Sequence, residues 1–294
     1  MSIRYIAYGK EKDGSVMDEN KRIALTEAAR NIRIGIIEAT NAAGCGHPGG
    51  SLSIADVLAW LYCGGEMNVR PEDPNWADRD RLVLSKGHAA PGLYAALAEK
   101  GYFPKEELLT LRKFGSRLQG HPSMLKTPGV DMSTGSLGQG ISAACGMALS
   151  AKLDNKDFRV YTIVGDGESQ EGEVWEAAEF AAHNKLDNLC AIFDSNGLQI
   201  DGNVSDVMNV EPIDKKFEAF GWHVFKADAH NFDSLEQAFA AAREAKGAPS
   251  VIISKSVKGK GVSFMENKAA WHGKATNAEE YKQAIAELRE VKNG

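Results

Sequence analysis

The sequence predicts an α/β protein built on a mainly parallel β-sheet with helices on both faces. Three observations carry that expectation. Short runs that are apolar throughout, such as "YTIVG" and "NLCAIFD", alternate along the chain with amphipathic stretches of helical period. Strands without polar positions are buried on both faces, as in a parallel sheet sandwiched by helices. Several apolar runs also stop at glycine or at oxygen-bearing side chains, the pattern of strands that deliver loops to a site at their carboxyl ends.

Each element follows from its local pattern. From residue 21 to 43 the positions Leu25, Ala28, Ile32, Ile36 and Ala39 recur at helical spacing, and Gly44 ends the run. A second helix is expected with Ser53 as N-cap, Ile54, Val57, Leu58 and Leu61 facing inward, and a stop at Gly64-Gly65. Alternation begins with a strand at 81–85 and a helix at 90–101 with Pro91 in its first turn. A strand is read at 158–165, a helix at 173–186 and a strand at 188–194. A helix (215–221), strand (222–228), helix (234–247), strand (250–257) and final helix (277–292) complete the series. No repeat, low-complexity tract or linker divides residues 1–294, so a single domain is expected.

Bulk properties exclude some functions. With 294 residues, 43% of them hydrophobic, the chain has material for a large core. A net charge of −6 argues against a broad nucleic-acid footprint, though not against a local anion site. The N-terminus lacks the apolar region of a signal peptide and no apolar run reaches membrane-spanning length, so a soluble cytoplasmic protein is expected. Cys45, Cys63, Cys145 and Cys190 are scattered and read as small packing residues in a reducing compartment.

The chemistry concentrates where strands end. Asp166 and Asn196 each follow a strand, and a single helix separates those strands. A right-handed crossover would make the strands parallel neighbours, with both tips at one point. A carboxylate, an amide oxygen and a backbone carbonyl from Gly197 or Leu198 are hard ligands suited to Mg²⁺ or Ca²⁺. Gly165 and Gly167 would let the backbone approach an anion that shares the metal. A lone GDG is no more than a turn; Asn196 at a second strand end favours the metal-diphosphate reading. "STGSLGQGIS", containing Leu137 and Gly138, is a second glycine-rich stretch before a helix, for which phosphate binding and close helix packing are equally good accounts. It lacks the lysine of a P-loop.

His47, His88, His121 and His272 all touch Gly or Pro in expected loops and read as proton donors or polar contacts gathered over one pocket. His183, His223 and His230 lack that context and read as ordinary loop or surface residues. Glu171 and Glu176 open the helix after GDG, where acidic residues suit the helix dipole. Glu168 and Glu173 read as capping or solvated. Lys258 and Lys260 in "VKGKG" read as a flexible loop ahead of a phosphate contact.

"GHPGG", "SKGHAAPGLY", "LQGHP", "TGSLGQGIS", "GDGESQEGEVWEA" and "DSNGLQIDG", in this order, resemble the N-terminal, thiamin diphosphate-binding domain of transketolase. The likeness runs from the first helix to "WHG" and implies the thiamin diphosphate-binding fold. It further implies that Asp166, Asn196 and the Leu198 carbonyl hold Mg²⁺. Gly167 and His88, with Leu137, Gly138 and Gly165, would contact the cofactor, and His272 would sit between diphosphate and substrate. His47 would handle the proton of the aldehyde oxygen and His121 would bind a donor hydroxyl. Glu171 and Glu176 would lie at the subunit contact and link active sites. Deoxyxylulose-phosphate synthases differ around the second histidine, and the pyruvate dehydrogenase type lacks "QEG" after GDG.

The family's activating glutamate and most sugar-phosphate contacts belong to a pyrimidine-binding domain that this sequence lacks. The polar "ELREVKNG" reads as a natural helix end, so the expectation is one subunit of a two-chain enzyme, α₂β₂ by analogy, whose partner carries that domain. It would transfer a two-carbon ketol unit from a ketose phosphate to an aldose phosphate in the pentose phosphate pathway. The alternatives are another thiamin diphosphate-dependent carboligase or decarboxylase subunit, and a non-catalytic diphosphate-binding module.

Overall fold

The computed structural model describes residues 17–290. Helix α1 (Glu19–Ala43) is capped by the Asp18 carboxylate, which accepts from the Lys21 N–H, and is closed by Gly44 in the left-handed region. There follow α2 (Pro48–Leu52), α3 (Ala55–Cys63), β1 (Arg81–Leu84), α4 (Ala90–Lys100) and α5 (Gln139–Leu153). Then come β2 (Val160–Gly165), α6 (Gly172–His183), β3 (Leu189–Ser195), a small hairpin of β4 (Leu198–Gln199) and β5 (Gly202–Asn203), α7 (Val204–Val207) and α8 (Ile213–Ala219). The chain continues with β6 (His223–Asp228), α9 (Phe232–Glu244), β7 (Ser250–Lys255) and α10 (Ala278–Glu290).

The main sheet has the order β1-β2-β3-β7-β6, and every pairing in it is parallel. β2 and β3 are hydrogen-bonded neighbours with Gly165 opposite Asp194 in register, as the crossover argument requires. Alternate side chains of each strand feed separate cores. Leu82, Leu84, Ile163 and Ile192 pack with α1, α3, α4 and α9, whereas Val83, Val164, Ala191 and Phe193 pack with α5, α6 and α8. Each such buried aliphatic or aromatic side chain contributes about 1.5–3 kcal/mol over its exposed state. The two cores clamp the sheet, so loops at its carboxyl edge stand on a rigid base.

Some elements differ from the sequence reading. Ser53 does not cap a helix. Its hydroxyl donates to the Gly50 carbonyl and to Asp194, and Ile54 occupies the cap position of α3. The short α2 and the β4–β5 hairpin carry too few residues to show a period. Cys145 and Cys190 are buried, but Cys45 and Cys63 are exposed, so packing does not account for all the cysteines. The end of the expected final helix, at 291–292, lies outside the described residues. Among the described residues no helix is long and apolar enough to cross a membrane.

Candidate active site at the carboxyl edge of the sheet

β1, β2, β3 and β7 deliver Lys86, Asp166, Asp194 and Lys258 to one edge of the sheet. Asp194 is the hub. It is fully buried and takes an ion pair from the equally buried Lys86 at 2.6 Å. Ser53 donates to it at 2.8 Å, the Asn196 amide at 2.9 Å, and Ser256 also donates. Burial alone would push this carboxyl up; the Lys86 charge and these donors outweigh it and hold Asp194 below the ordinary carboxylate range.

Asp166 is placed differently. Its Oδ2 accepts the backbone N–H groups of Asn196 and Gly197, each at 2.7 Å. The Asn196 Oδ1 in turn accepts the Leu198 N–H at 3.1 Å. Asp166, Asn196 and Leu198 are thus brought together by direct bonds. Asp166 gains no cation of its own, because Lys86 is engaged by Asp194. Burial, then the neighbouring Asp194 charge, push it up to about 7 despite the two amides. A buried carboxylate short of positive charge beside an amide oxygen is chemistry that fits a hard cation. Among the described residues no three His, Cys, Asp or Glu side chains converge as a metal cluster, so a cation here would need carbonyl and external oxygens as well.

The four loop histidines do converge. His47 and His88 have ring centroids 5.2 Å apart, His88 and His272 5.0 Å, His47 and His272 5.3 Å, and His47 and His121 6.4 Å. Burial lowers all four, with Lys86 as the next cause for His88, Lys258 for His272 and Arg112 for His47 and His121. His47 falls to about 4 and His272 to about 3, so both rings are neutral near pH 7. Among the described residues the Nδ1 of His47 is buried and has no hydrogen-bond partner. His121 is exposed at the rim beside Arg112, whose guanidinium lies against Gly120 and whose backbone has φ of 59°.

Lys258 corrects the flexible-loop reading. It is buried, and its Nζ lies 2.9 Å from the His272 Nδ1. Burial, then repulsion from Lys86, bring it down to about 8. Two buried lysines with only one of them paired to a carboxylate leave an excess of positive charge that suits an anion. Because His272 is neutral, Lys258 donates to Nδ1 and the ring proton sits on Nε2.

Glu168, read from the sequence as capping or solvated, is neither. It is buried, its Oε1 accepts from Ser85 and from the Gly138 N–H at 3.0 Å, and its Oε2 accepts from the Gly165 N–H at 2.9 Å. The N–H groups of Gly138 and Gly165 are therefore spent on this carboxylate, and any contact these residues make with a diphosphate would use other atoms. Gly138 also has φ of 87°, and a Cβ there would stand 2.8 Å from Glu171 Cβ. Leu137 is half-buried beside it, and Gly167 packs against Gln199, whose Nε2 is a buried donor without a partner.

Glu171, at the N-cap of α6, and Glu176, within it, are exposed and do not join the histidines. Glu173 accepts from Ser142 across to α5. His230, read as an ordinary loop residue, accepts the Val257 N–H on Nε2 at 2.9 Å and lies 2.7 Å from Asp56 through Nδ1, pinning the segment that carries Lys258. None of His230, Lys86, Asp194 and Glu168 carries a local signal; each acts through neighbours distant in sequence.

This fold and this edge define a class, α/β domains that present paired oxygens, buried lysines and a histidine set at the carboxyl ends of a parallel sheet. Within it, the chain belongs to the family of transketolase thiamine diphosphate-binding domains, which it matches over residues 24–290. It is 50% identical over 268 residues to the 6-deoxy-6-sulfo-D-fructose transketolase subunit of Clostridium sp. (strain MSTE9), covering 91% of this chain and 97% of that protein. It is 42% identical over 255 residues to one of the apulose-4-phosphate transketolase subunits of Phocaeicola vulgatus, covering 87% of this chain and 90% of that protein. The crystal structure of transketolase from Campylobacter jejuni superposes with a TM-score of 0.85 at 33% identity, over 93% of this chain but 43% of that one.

Proposed function

We propose that this chain is the thiamin diphosphate-binding subunit of a two-chain transketolase, with a second chain supplying the pyrimidine-binding part of the active site. The observation that carries the reading is the meeting of His47, His88, His121 and His272 over the Asp166–Asn196 edge. A non-catalytic diphosphate module would have no use for three imidazoles packed together with a fourth beside His47 at the rim. Two relatives that match along 90% or more of their length are named as subunits, which supports the division into two chains.

Asp166, Asn196 and the Leu198 carbonyl would hold Mg²⁺, with Ca²⁺ as a possible substitute, and the metal would tie the diphosphate to the sheet edge. Lys258 and His88 would face the diphosphate; Gly165 and Gly167 allow its approach, and Leu137 and Gly138 flank it. Bound thiamin diphosphate would supply the electron sink for breaking and re-forming the carbon–carbon bond beside a ketose carbonyl. The protein's part is orientation and proton traffic. The His272 Nε2–H, fixed by Lys258 on the other nitrogen, is a donor toward the reacting oxygens. His47, neutral in this setting, would take or return a proton at the aldehyde oxygen. His121 at the rim would meet a donor hydroxyl, and Arg112 beside it adds positive charge for an anionic sugar. Donors and acceptors bearing an anionic group agree with the phosphate and sulfonate sugars in the relatives' names. Glu171 and Glu176, exposed at the N-cap of α6 and within it, would lie at the subunit contact of an α₂β₂ assembly in the cytoplasm.

The test is ketol transfer by the purified chain alone and after addition of the second chain captured with it. Turnover only in the mixture is expected. Full turnover by the chain alone would overturn the two-chain assignment.

A further inference from the structure

A cavity of about 460 Å³ lies among α1, the start of α3, the loop before α9, the loop after β7, and α10. None of its lining residues belongs to the histidine group. Arg22, Thr26, Arg30 and Arg33 face it from one side of α1 at helical spacing, and Lys260 faces it from the loop after β7. In a chain of net charge −6, four cations against two lining carboxylates, Glu27 and Asp56, leave a local excess of positive charge.

The four are not equally engaged. Arg22 is held by a two-bond fork on Asp233 at 2.8 and 2.9 Å. Arg33 is held by a fork on the buried Asp56, which also takes His230, so that carboxylate is spent. Among the described residues Arg30 pairs only with Glu27, one turn away at 3.3 Å on the same cavity wall, with 58% of the glutamate side chain exposed. Among the described residues Lys260 pairs only with Glu266, at 3.5 Å and also partly exposed. Exposed pairs of this kind contribute little, and both carboxylates can swing into water. Arg30 and Lys260 therefore offer two cations, from different walls, to an incoming dianion. Phe232 and Leu288 add an apolar wall, which an inorganic ion would not use.

We infer that this cavity is a second binding site, for a small phosphate ester whose phosphate lies between Arg30 and Lys260. The site stands back to back with the histidine group. Lys260 O accepts the Arg33 Nε–H at 3.1 Å, and a Cβ on Gly261 would come within 3.1 Å of Arg33 and Leu288, so the loop rests closely on the cavity wall. Two residues back, Lys258 contacts His272, and His230 holds Val257 from the cavity side. Lys258 itself points to His272 and does not line the cavity, so its side chain is not required for binding there.

The experiment is isothermal titration of the full chain, in the assembly in which it purifies, with glycerol 3-phosphate, inorganic phosphate and glycerol. Wild type is compared with the Arg30→Gln/Lys260→Gln double variant and with Lys258→Gln. Glycerol 3-phosphate is expected to bind wild type and Lys258→Gln alike and to bind the double variant at least about tenfold more weakly, as loss of two charge-assisted contacts implies. Glycerol should give no binding. Unchanged affinity in the double variant, or loss in Lys258→Gln alone, would overturn the site. Inorganic phosphate binding as tightly as the ester would overturn the ester assignment in favour of the free ion.

Discussion

Replacing Lys86 by Met isolates the hub of the site. Met fills the space of the lysine stem, so no cavity is opened, but the ammonium leaves Asp194 at a position 1% exposed. At 2.6 Å the pair attracts by about 6 kcal/mol at an effective dielectric of ~20, most of which offsets the desolvation of both charges. Removing one partner alone exposes that desolvation, at about 3–5 kcal/mol. The Gly50 carbonyl also loses its 2.8 Å donor. Donors from Ser53, Ser256 and Asn196 remain on Asp194 and place the expected loss near the lower end, about 3–4 kcal/mol. For a domain of this size that is a drop in Tm of about 10 °C. The assay is denaturant unfolding of wild type, Lys86→Met and Lys86→Met/Asp194→Asn. The double variant should recover at least half the loss, since Asn keeps an acceptor for the serines without a charge. Asp194 lies below its unfolded value, so its contribution is present at neutral pH and lost on acidification. That loss in wild type begins only below about pH 4; in Lys86→Met, burial without the ammonium pushes the Asp194 carboxyl up instead, so the variant regains stability as pH falls from 7 to 4 and its deficit shrinks. A single variant within 1 kcal/mol of wild type, or no rescue by Asn, would refute the reasoning.

Further outcomes are expected from other parts of the structure. Gly138→Ala should destabilise by about 1–3 kcal/mol in thermal unfolding, because φ is 87° and the new Cβ meets Glu171. Gly146→Ala, in α5 with open space around it, should instead stabilise by about 0.5–1 kcal/mol. His47 and His272 lie below the unfolded histidine value of ~6.5. Between there and about pH 4 to 3 the unfolded chain binds the extra protons, so stability is highest above pH 6.5 and falls as pH falls through that window. Since both rings are partly exposed, about 1–2 kcal/mol each is expected, readable as a pH profile of Tm that flattens in His47→Ala. In the assembled enzyme, His47→Ala should lower kcat by about 10²–10⁴ with folding intact, whereas a purely binding module would be unaffected.

Much of the sheet was legible, because β1, β2, β3 and β7 are largely apolar and buried on both faces, while the edge strand β6, only partly buried, followed from the alternation with helices. The histidine group was legible for another reason, since imidazoles flanked by Gly or Pro in loops have few packing duties. Lys86 was not. In "LSKGH" it looks like a loop lysine, and only the approach of Asp194, 108 residues later, makes it a buried cation. Glu168 likewise looks like a first-turn acid until Ser85 and two glycine amides surround it. Lys258 sits among glycines that suggest mobility, yet their positive φ values fold the loop tightly over the lysine. His230 carries no Gly or Pro signature, and its role depends wholly on Asp56 and Val257.

The most direct test of the central account is native mass spectrometry of this chain captured gently from its source cell, with Mg²⁺ present throughout. The account predicts a species containing a second, different chain together with masses matching thiamin diphosphate and Mg²⁺, and loss of both small masses in Asp166→Ala. A homomer of this chain alone, without cofactor, or cofactor retention unchanged by Asp166→Ala, would contradict it.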